Sequence, residues 1–186
     1  MITLFSDGGG KKEGLAASAC IIRDANGKER RLLGFLGPAT NNEAEIFGVL
    51  LGLSWLVSRD IEDETIKWVC DSEYSLKSAT QYILSWKKNG WKTAAKEPVK
   101  NKGLWLAYLE LSKDFRIMPE HVRGHTGHHE NELCDSACTW AQRTLGHKKA
   151  ISPSLIHVAG DRDPWVLIDL RPALDFLRSS TELDID

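Results

Sequence analysis

The sequence predicts an α/β fold: a five-stranded mixed sheet, its first three strands antiparallel, with helices on both faces. Three observations carry this. Residues 1–36 hold three short apolar runs, separated by a glycine-rich turn and by Asp24-Ala25-Asn26-Gly27, and Asn-Gly is the strongest short hairpin signal. Ile46, Val49, Leu50, Leu53, Leu56 and Val57 then recur at the helical period. Residues 66–71 return as a strand, so that strand, helix and strand make a parallel crossover unit.

Each element follows from its local pattern. Ile2, Leu4 and Phe5 suit a buried strand, and glycines 8–10 end it, which puts Asp7 at the last strand position. A carboxylate there is held by a rigid strand yet points out of the core; an Asp before Gly is also ordinary turn chemistry. Residues 15–23 and 29–36 form the second and third strands. Gly37-Pro38 breaks the run, Thr40, Asn41 and Asn42 offer helix caps, and Glu45 stands three residues after Asn42 at capping-box spacing, so a helix is expected over 42–58. Glu45 in its first turn serves either as a cap or as a functional acid. The strand at 66–71 ends on Asp71 as the first ends on Asp7. Two parallel strands that each end in Asp set both acids at the carboxyl edge, where open α/β sheets place their sites; capping of the next helix by Asp71 or Ser72 is the plainer alternative. Helices over 74–86 and 99–113 and a last strand over 115–122 follow. A loop with Gly124 and Gly127 then carries His125, which can move protons at neutral pH, and Asn131 can cap a helix that carries Asp135.

The 186 residues suffice for one domain with a core and an appendage. Hydrophobic content of 42% and charged content of 27% are those of a soluble globular protein. No apolar run approaches the ~20 residues that span a bilayer, and no basic-then-apolar leader opens the chain, so a cytoplasmic protein without membrane contact is expected. Cys20, Cys70, Cys134 and Cys138 have no metal-knuckle spacing and read as reduced structural thiols. The net charge of −2 argues against a generic nucleic-acid coat, but its distribution is uneven. Residues 86–105 carry six lysines and one acid, Glu97, for a local +5. Trp86, Trp91 and Trp105 stand among Lys87, Lys88, Lys92, Lys96, Lys100 and Lys102, a composition suited to gripping a sugar-phosphate backbone; a solvated lysine face over core tryptophans is the bland alternative.

Four acids thus fall at element ends: Asp7, Glu45, Asp71 and Asp135. Clustered ionised carboxylates repel and need a cation, and all-oxygen ligands select a hard ion, Mg²⁺ or Mn²⁺. Two such ions ~4 Å apart can clamp a phosphodiester, one activating water and one stabilising the leaving oxygen. Zinc is the alternative, since His121, His125, His128, His129, Cys134 and Cys138 lie close in sequence. Against it, residues 121–127 do not look helical, and the two cysteines share a face with Ala137 and Ala141.

The motifs Phe5-Ser6-Asp7-Gly8, Thr40-Asn41-Asn42-Glu43-Ala44-Glu45, Cys70-Asp71-Ser72-Glu73-Tyr74, Trp86-Lys87-Lys88-Asn89-Gly90-Trp91-Lys92-Thr93, Pro98-Val99-Lys100-Asn101, Gly124-His125-Thr126-Gly127-His128 and Asn131-Glu132-Leu133-Cys134-Asp135 occur in one order. In these stretches, which cover residues 1 to about 146, the chain resembles type 1 ribonuclease H. The resemblance implies a ribonuclease H-like fold and endonucleolytic cleavage of the RNA strand of RNA–DNA hybrids with two Mg²⁺ ions, Mn²⁺ being possible. It implies that Asp7, Glu45, Asp71 and Asp135 are metal-binding catalytic acids, with Asp7 between the ions, and that His125 assists proton transfer or product release. Asn41 and Asn42 would read the minor groove, where 2′-hydroxyls mark RNA. Thr40 and Asn101 would belong to a pocket for a DNA-strand phosphate, and Trp86, Lys87, Lys88, Trp91 and Lys92 to a basic handle on the DNA strand. Departures from the family pattern are a short loop at 8–14, Pro38 where an Arg is frequent, Tyr82 in place of a Trp, and Glu73 in place of a neutral residue. Pro38 predicts a weaker grip on the DNA phosphate.

Residues 147–186 have no counterpart in the resemblance. Residues 151–186 carry seven acids and three arginines, and the apolar 165–168 suggests a strap packed on the 1–146 domain. Short strands are expected at 157–158 and 165–168, a helix at 172–178 and disorder at 182–186; a docking tail for a protein partner, or one that occupies the basic handle, is the other possibility. A monomer is expected. The rival to the enzyme is a catalytically silent module that binds hybrid or duplex RNA.

Overall fold

The computed structural model describes residues 1–10, 14–146, 148–158 and 160–180. The chain runs β1 (Ile2–Gly10), β2 (Leu15–Arg23), β3 (Glu29–Pro38), α1 (Asn41–Val57), β4 (Thr65–Cys70), α2 (Glu73–Lys77), a π-helical turn (Ser78–Tyr82), α3 (Ile83–Lys88), α4 (Lys102–Ser112), β5 (Arg116–His121), α5 (His129–Leu145), β6 (Ser154–Ile156), β7 (Trp165–Asp169) and α6 (Arg171–Ser179). The α/β class, the antiparallel opening and the crossover through α1 are as the sequence predicts. The sheet has seven strands rather than five, in the order β5-β4-β1-β2-β3-β7-β6. The two additional strands come from the C-terminal segment. β7 lies parallel to β3, from Leu32 opposite Val166 to Phe35 opposite Asp169, and β6 lies antiparallel to β7. An apolar run such as 165–168 announces a strand but not its partner, because pairing across more than a hundred residues leaves no local trace.

Successive strand residues point to opposite faces, and each face builds its own core. Leu4, Cys20, Ile22 and Leu32 pack beneath α1 and α4, with Leu170 and Leu174 at the α6 end. Phe5, Ile21, Leu33 and Phe35 pack beneath α5, joined by Trp165 and Leu167 of β7. Trp68, Trp105 and Trp165 are fully buried.

Several boundaries differ from the expected ones. β1 does not stop at Asp7: Gly8, Gly9 and Gly10 continue to pair with Ser18, Ala17 and Ala16. The glycines serve close packing here rather than a turn, since a Cβ on Gly8 would lie 2.2 Å from the main chain of Ala44 and Glu45. The cap of α1 is Thr40, in a reciprocal capping box with Glu43, rather than Asn42 with Glu45. The helix expected over 74–86 is interrupted by the π-helical turn. Asn101 adopts a left-handed backbone (φ 62°), so α4 begins at Lys102 rather than at Val99. Asn131 lies buried inside α5, whose N-cap is His128. The strand expected at 157–158 forms instead at Ser154–Ile156. The acidic end at 182–186 lies outside the described residues. Among those described, no helix is long and apolar enough to cross a membrane.

Candidate active site

β1 and β4 are parallel, with Phe5 opposite Val69. The same offset carried two residues further sets Asp7 beside Asp71, which follows the end of β4. α1 then packs its first turn against Gly8 and delivers Glu45 to the same place. Carboxylate oxygens of Asp7, Glu45 and Asp71 lie within 4.8 Å of one another. Asp7 and Glu45 are buried, and Asp71 is half-buried. Asp135 of α5 and the exposed His125 line the same open cleft, of about 290 Å³, with Asn41 on its far side.

The cluster is electrostatically unbalanced. Burial, reinforced by Asp71 and Asp135, pushes the Asp7 carboxyl up to about 8, although the Gly8 amide donates to its Oδ1 at 2.8 Å. Burial, then Asp7 and Asp71, also drives Glu45 well above the ordinary range. The Glu45 Oε2 atom is buried and has no hydrogen-bond partner among the described residues. An orphaned carboxylate oxygen facing two further acids is the donor set of a hard divalent cation, so the residues present fit Mg²⁺ or Mn²⁺. The histidine and cysteine side chains form no comparable group among the described residues; Cys134 and Cys138 point their thiols at the main-chain carbonyls of Phe5 and Asp7.

Two cleft residues, Thr139 and Gln142, carry no sequence mark of their own, and Asn131, singled out above as a cap, lies on the same face of α5. Asn131 donates weakly to Asp71 Oδ2 at 3.4 Å, and Thr139 and Gln142 complete the wall beside Asp135. All three share the Asp135 face of α5, at four residues before it and four and seven after, so helical spacing from Asp135 could have found them. Gly124 is also constrained, because a Cβ there would lie 2.5 Å from Asp71 Oδ2.

The remaining predicted residues sit outside the acid cluster. Thr40, Asn41 and Asn42 are exposed at the start of α1, and Gly10 N donates to Asn41 Oδ1 at 3.1 Å. Asn101 Nδ2 donates to the Tyr74 hydroxyl at 3.2 Å. Lys87, Lys88 and Lys92 are exposed and form no ion pair among the described residues, whereas Trp86 and Trp91 are half-buried against the α4 core, Trp86 stacking 6.4 Å from the Trp105 ring. The tryptophans are therefore anchors of this segment, and the lysines are its free surface. The segment is knotted by main-chain bonds from Trp91 N to Trp86 O and from Val99 N to Trp91 O. Glu73 is exposed and paired with Lys77 at 2.7 Å. Pro38, where the resemblance expects an arginine, offers its carbonyl to the Arg178 guanidinium at 3.2 Å.

Comparison with known proteins places this arrangement. The ribonuclease H from Pseudomonas fluorescens is 40% identical over 134 residues, which are 72% of this chain and 85% of that one. Among solved structures, the LC9 ribonuclease H1, a type 1 enzyme with a type 2 active-site motif, superposes with a TM-score of 0.65 at 20% identity over 76% of this chain and 72% of its own. The LC11 ribonuclease H1, solved with an RNA/DNA hybrid, does so with a TM-score of 0.62 at 18% identity over 78% and 99%. At those identities the two structures speak for the fold alone. The model of the RNase H family matches residues 1–143, and with that match and a 40% identical relative the chain belongs to the RNase H family.

Proposed function

We propose that the protein is an endoribonuclease that hydrolyses the RNA strand of RNA–DNA hybrids with two divalent ions, Mg²⁺ or Mn²⁺. The observation that carries this is the convergence of Asp7, Glu45 and Asp71, with a buried Glu45 oxygen left without a partner among the described residues. Asp7, Glu45, Asp71 and Asp135 would hold the ions. Bound there, the ions lower the pKa of water and stabilise charge on the phosphate oxygens. In the reaction a water oxygen bonds to phosphorus as the bridging P–O bond breaks. His125, on its left-handed loop position (φ 56°), moves a proton to or from the reacting oxygens. Asn41 and Asn42 face the minor groove. Thr40 and Asn101 hold a DNA phosphate, and Lys87, Lys88 and Lys92, set by Trp86 and Trp91, grip the DNA backbone. The 40% identical ribonuclease H from Pseudomonas fluorescens and the family match over residues 1–143 support this reading.

In this reading residues 1–146 carry the catalytic machinery, and residues 147–186 are an extension of which β6, β7 and α6 pack upon it. The protein acts as a monomer in the cytoplasm, where its four buried, unbridged cysteines stay reduced. A labelled hybrid incubated with Mg²⁺ tests the proposal. Wild type cuts only the RNA strand, and Asp7→Asn binds the hybrid without cutting it. Binding without cleavage by the wild type would instead support a silent hybrid-binding module.

A further inference from the structure

The C-terminal helix α6 reaches the first turn of α1 through Arg178. Arg178 Nε donates to Glu43 Oε1 at 2.8 Å, and Arg178 Nη2 donates to Glu43 Oε2 at 2.9 Å and to the Pro38 carbonyl at 3.2 Å. Two parallel bonds to one carboxylate fix both partners in the plane of the fork. The Glu43 carboxylate is 6% exposed and does more than answer Arg178. Its Oε2 also accepts from Thr40 N at 2.8 Å and from Thr40 Oγ1 at 3.2 Å, while Glu43 N donates to Thr40 Oγ1 at 3.1 Å. One buried group therefore ties together the end of β3, the cap and first turn of α1, and α6. Burial would raise the Glu43 carboxyl, but the bonds from Arg178 and Thr40 outweigh it and hold the group below its ordinary range.

The turn so held is the one that aims the site. Two residues before Glu43, Asn41 accepts from Gly10 N; two residues after it, Glu45 joins Asp7 and Asp71. α6 has little freedom to move its arginine away. A Cβ on Gly103 would lie 1.8 Å from Leu177 O, and Leu174 is buried in the α1 core. At the other end of α6, Arg171 is bound to Asp169 and to the carbonyls of Lys148 and Lys149.

We propose that Arg178 is a positioning residue for the acid cluster: through Glu43 it fixes the first turn of α1 and so holds Glu45 and Asn41 against Asp7. The C-terminal extension thereby acts on the metal site through the first turn of α1. This rests on the reading that Glu45 holds a divalent ion.

The test uses the full chain with Arg178→Ala and Arg178→Lys beside wild type. Three readouts are taken: Mn²⁺ binding by calorimetry, amide hydrogen exchange at residues 41–45, and kcat and KM on a hybrid, all well below the thermal midpoint of each variant. The alanine variant is expected to bind Mn²⁺ about 5- to 10-fold more weakly and to lose kcat by a similar factor, with KM changed less, as when an outer partner of a metal ligand is removed. Exchange at residues 41–45 accelerates while that of β1 and β2 does not. Lysine, which keeps the charge and one bond, recovers part of both losses. Mn²⁺ affinity, kcat and exchange all within twofold of wild type overturn the proposal, and so does a loss spread evenly over the whole molecule. If the alanine variant does not fold, Arg178→Gln is read by the same criteria. If wild type itself binds no Mn²⁺, the metal reading of the cluster fails, and exchange at residues 41–45 still decides whether Arg178 holds the turn.

Discussion

At the scale of single residues, the site is defined by where charge is left uncompensated. Asp7 stands inside β1, opposite Ala19 of β2, with two more carboxylates beside it. Its replacement by Asn removes a ligand without changing shape, so cleavage should fall by on the order of 10³-fold or more while hybrid affinity stays within a few-fold. The raised Asp7 carboxyl sets a pH dependence whose sign can be worked out. Its folded pKa, about 8, lies above its ordinary 3.8. The stabilisation it provides is therefore complete below the unfolded value and is lost as pH rises through the folded one. The protein in EDTA should accordingly lose thermal stability between pH 5 and about 8. Mg²⁺ should restore it, and more so at pH 8 than at pH 5, because binding must displace the protons. Melting curves with and without Mg²⁺ check this, and an EDTA profile flat over that range would refute it. His125→Ala, which removes an exposed loop side chain rather than a ligand, should lower kcat by about 10- to 100-fold and leave the melting temperature unchanged.

At the scale of elements, legibility tracked locality. The hairpin of β2 and β3 and the helical stripe of α1 are written in neighbouring residues, and the sequence alone sufficed for them. The strand and helix ends slipped where tertiary packing overrode local chemistry. The glycines after Asp7 looked like a turn because nothing in the sequence says that α1 presses on Gly8. Glu45 looked like a cap because its spacing from Asn42 is right, yet Glu43 at the matching distance from Thr40 took that role and freed Glu45 for the cluster. The 86–105 segment was legible in composition, but the division of labour within it was not: Trp86 and Trp91 are half-buried, and Lys87, Lys88 and Lys92 are exposed. That division makes a prediction. Replacing the three lysines with alanine should weaken hybrid binding and reduce the salt slope by about 0.7–0.9 for each phosphate that is no longer neutralised, with no change in melting temperature. Replacing Trp91 should lower stability as well as affinity. Salt titrations of binding beside melting curves separate the two; an unchanged salt slope would remove the lysines from the interface.

At the scale of the whole molecule, β7 and α6 belong to the fold, and the pairing of β7 with β3 was the least legible fact. The apolar 165–168 suggested a strap on the domain, and the net acidity kept a tail that seeks the basic handle as the other possibility. Instead Asp161 and Asp163 pair with Arg31 of β3, and Asp169 pairs with Arg171 of its own segment. Arg31 is 7% exposed, and Asp161 also accepts from the Trp165 indole at 2.8 Å. Leu170 fills the space above Gly34, where a Cβ would lie 2.1 Å from its Cδ1. A chain ended at Ala150 would therefore lose five buried side chains, Val158, Trp165, Leu167, Leu170 and Leu174, and would leave Arg31 without Asp161, with Glu29 as its remaining partner. Breaking a buried ion pair from one side costs about 3–5 kcal/mol, and emptying a buried leucine or tryptophan site costs about 2–5 kcal/mol. Set against a total stability of roughly 5–15 kcal/mol, these losses together exceed what a domain of this size can absorb. The shortened chain should accumulate as aggregate, or melt more than about 10 °C below the full protein. A truncated protein that melts with the full one would show that β3 is a sufficient edge by itself, and that β7 and α6 merely rest on it.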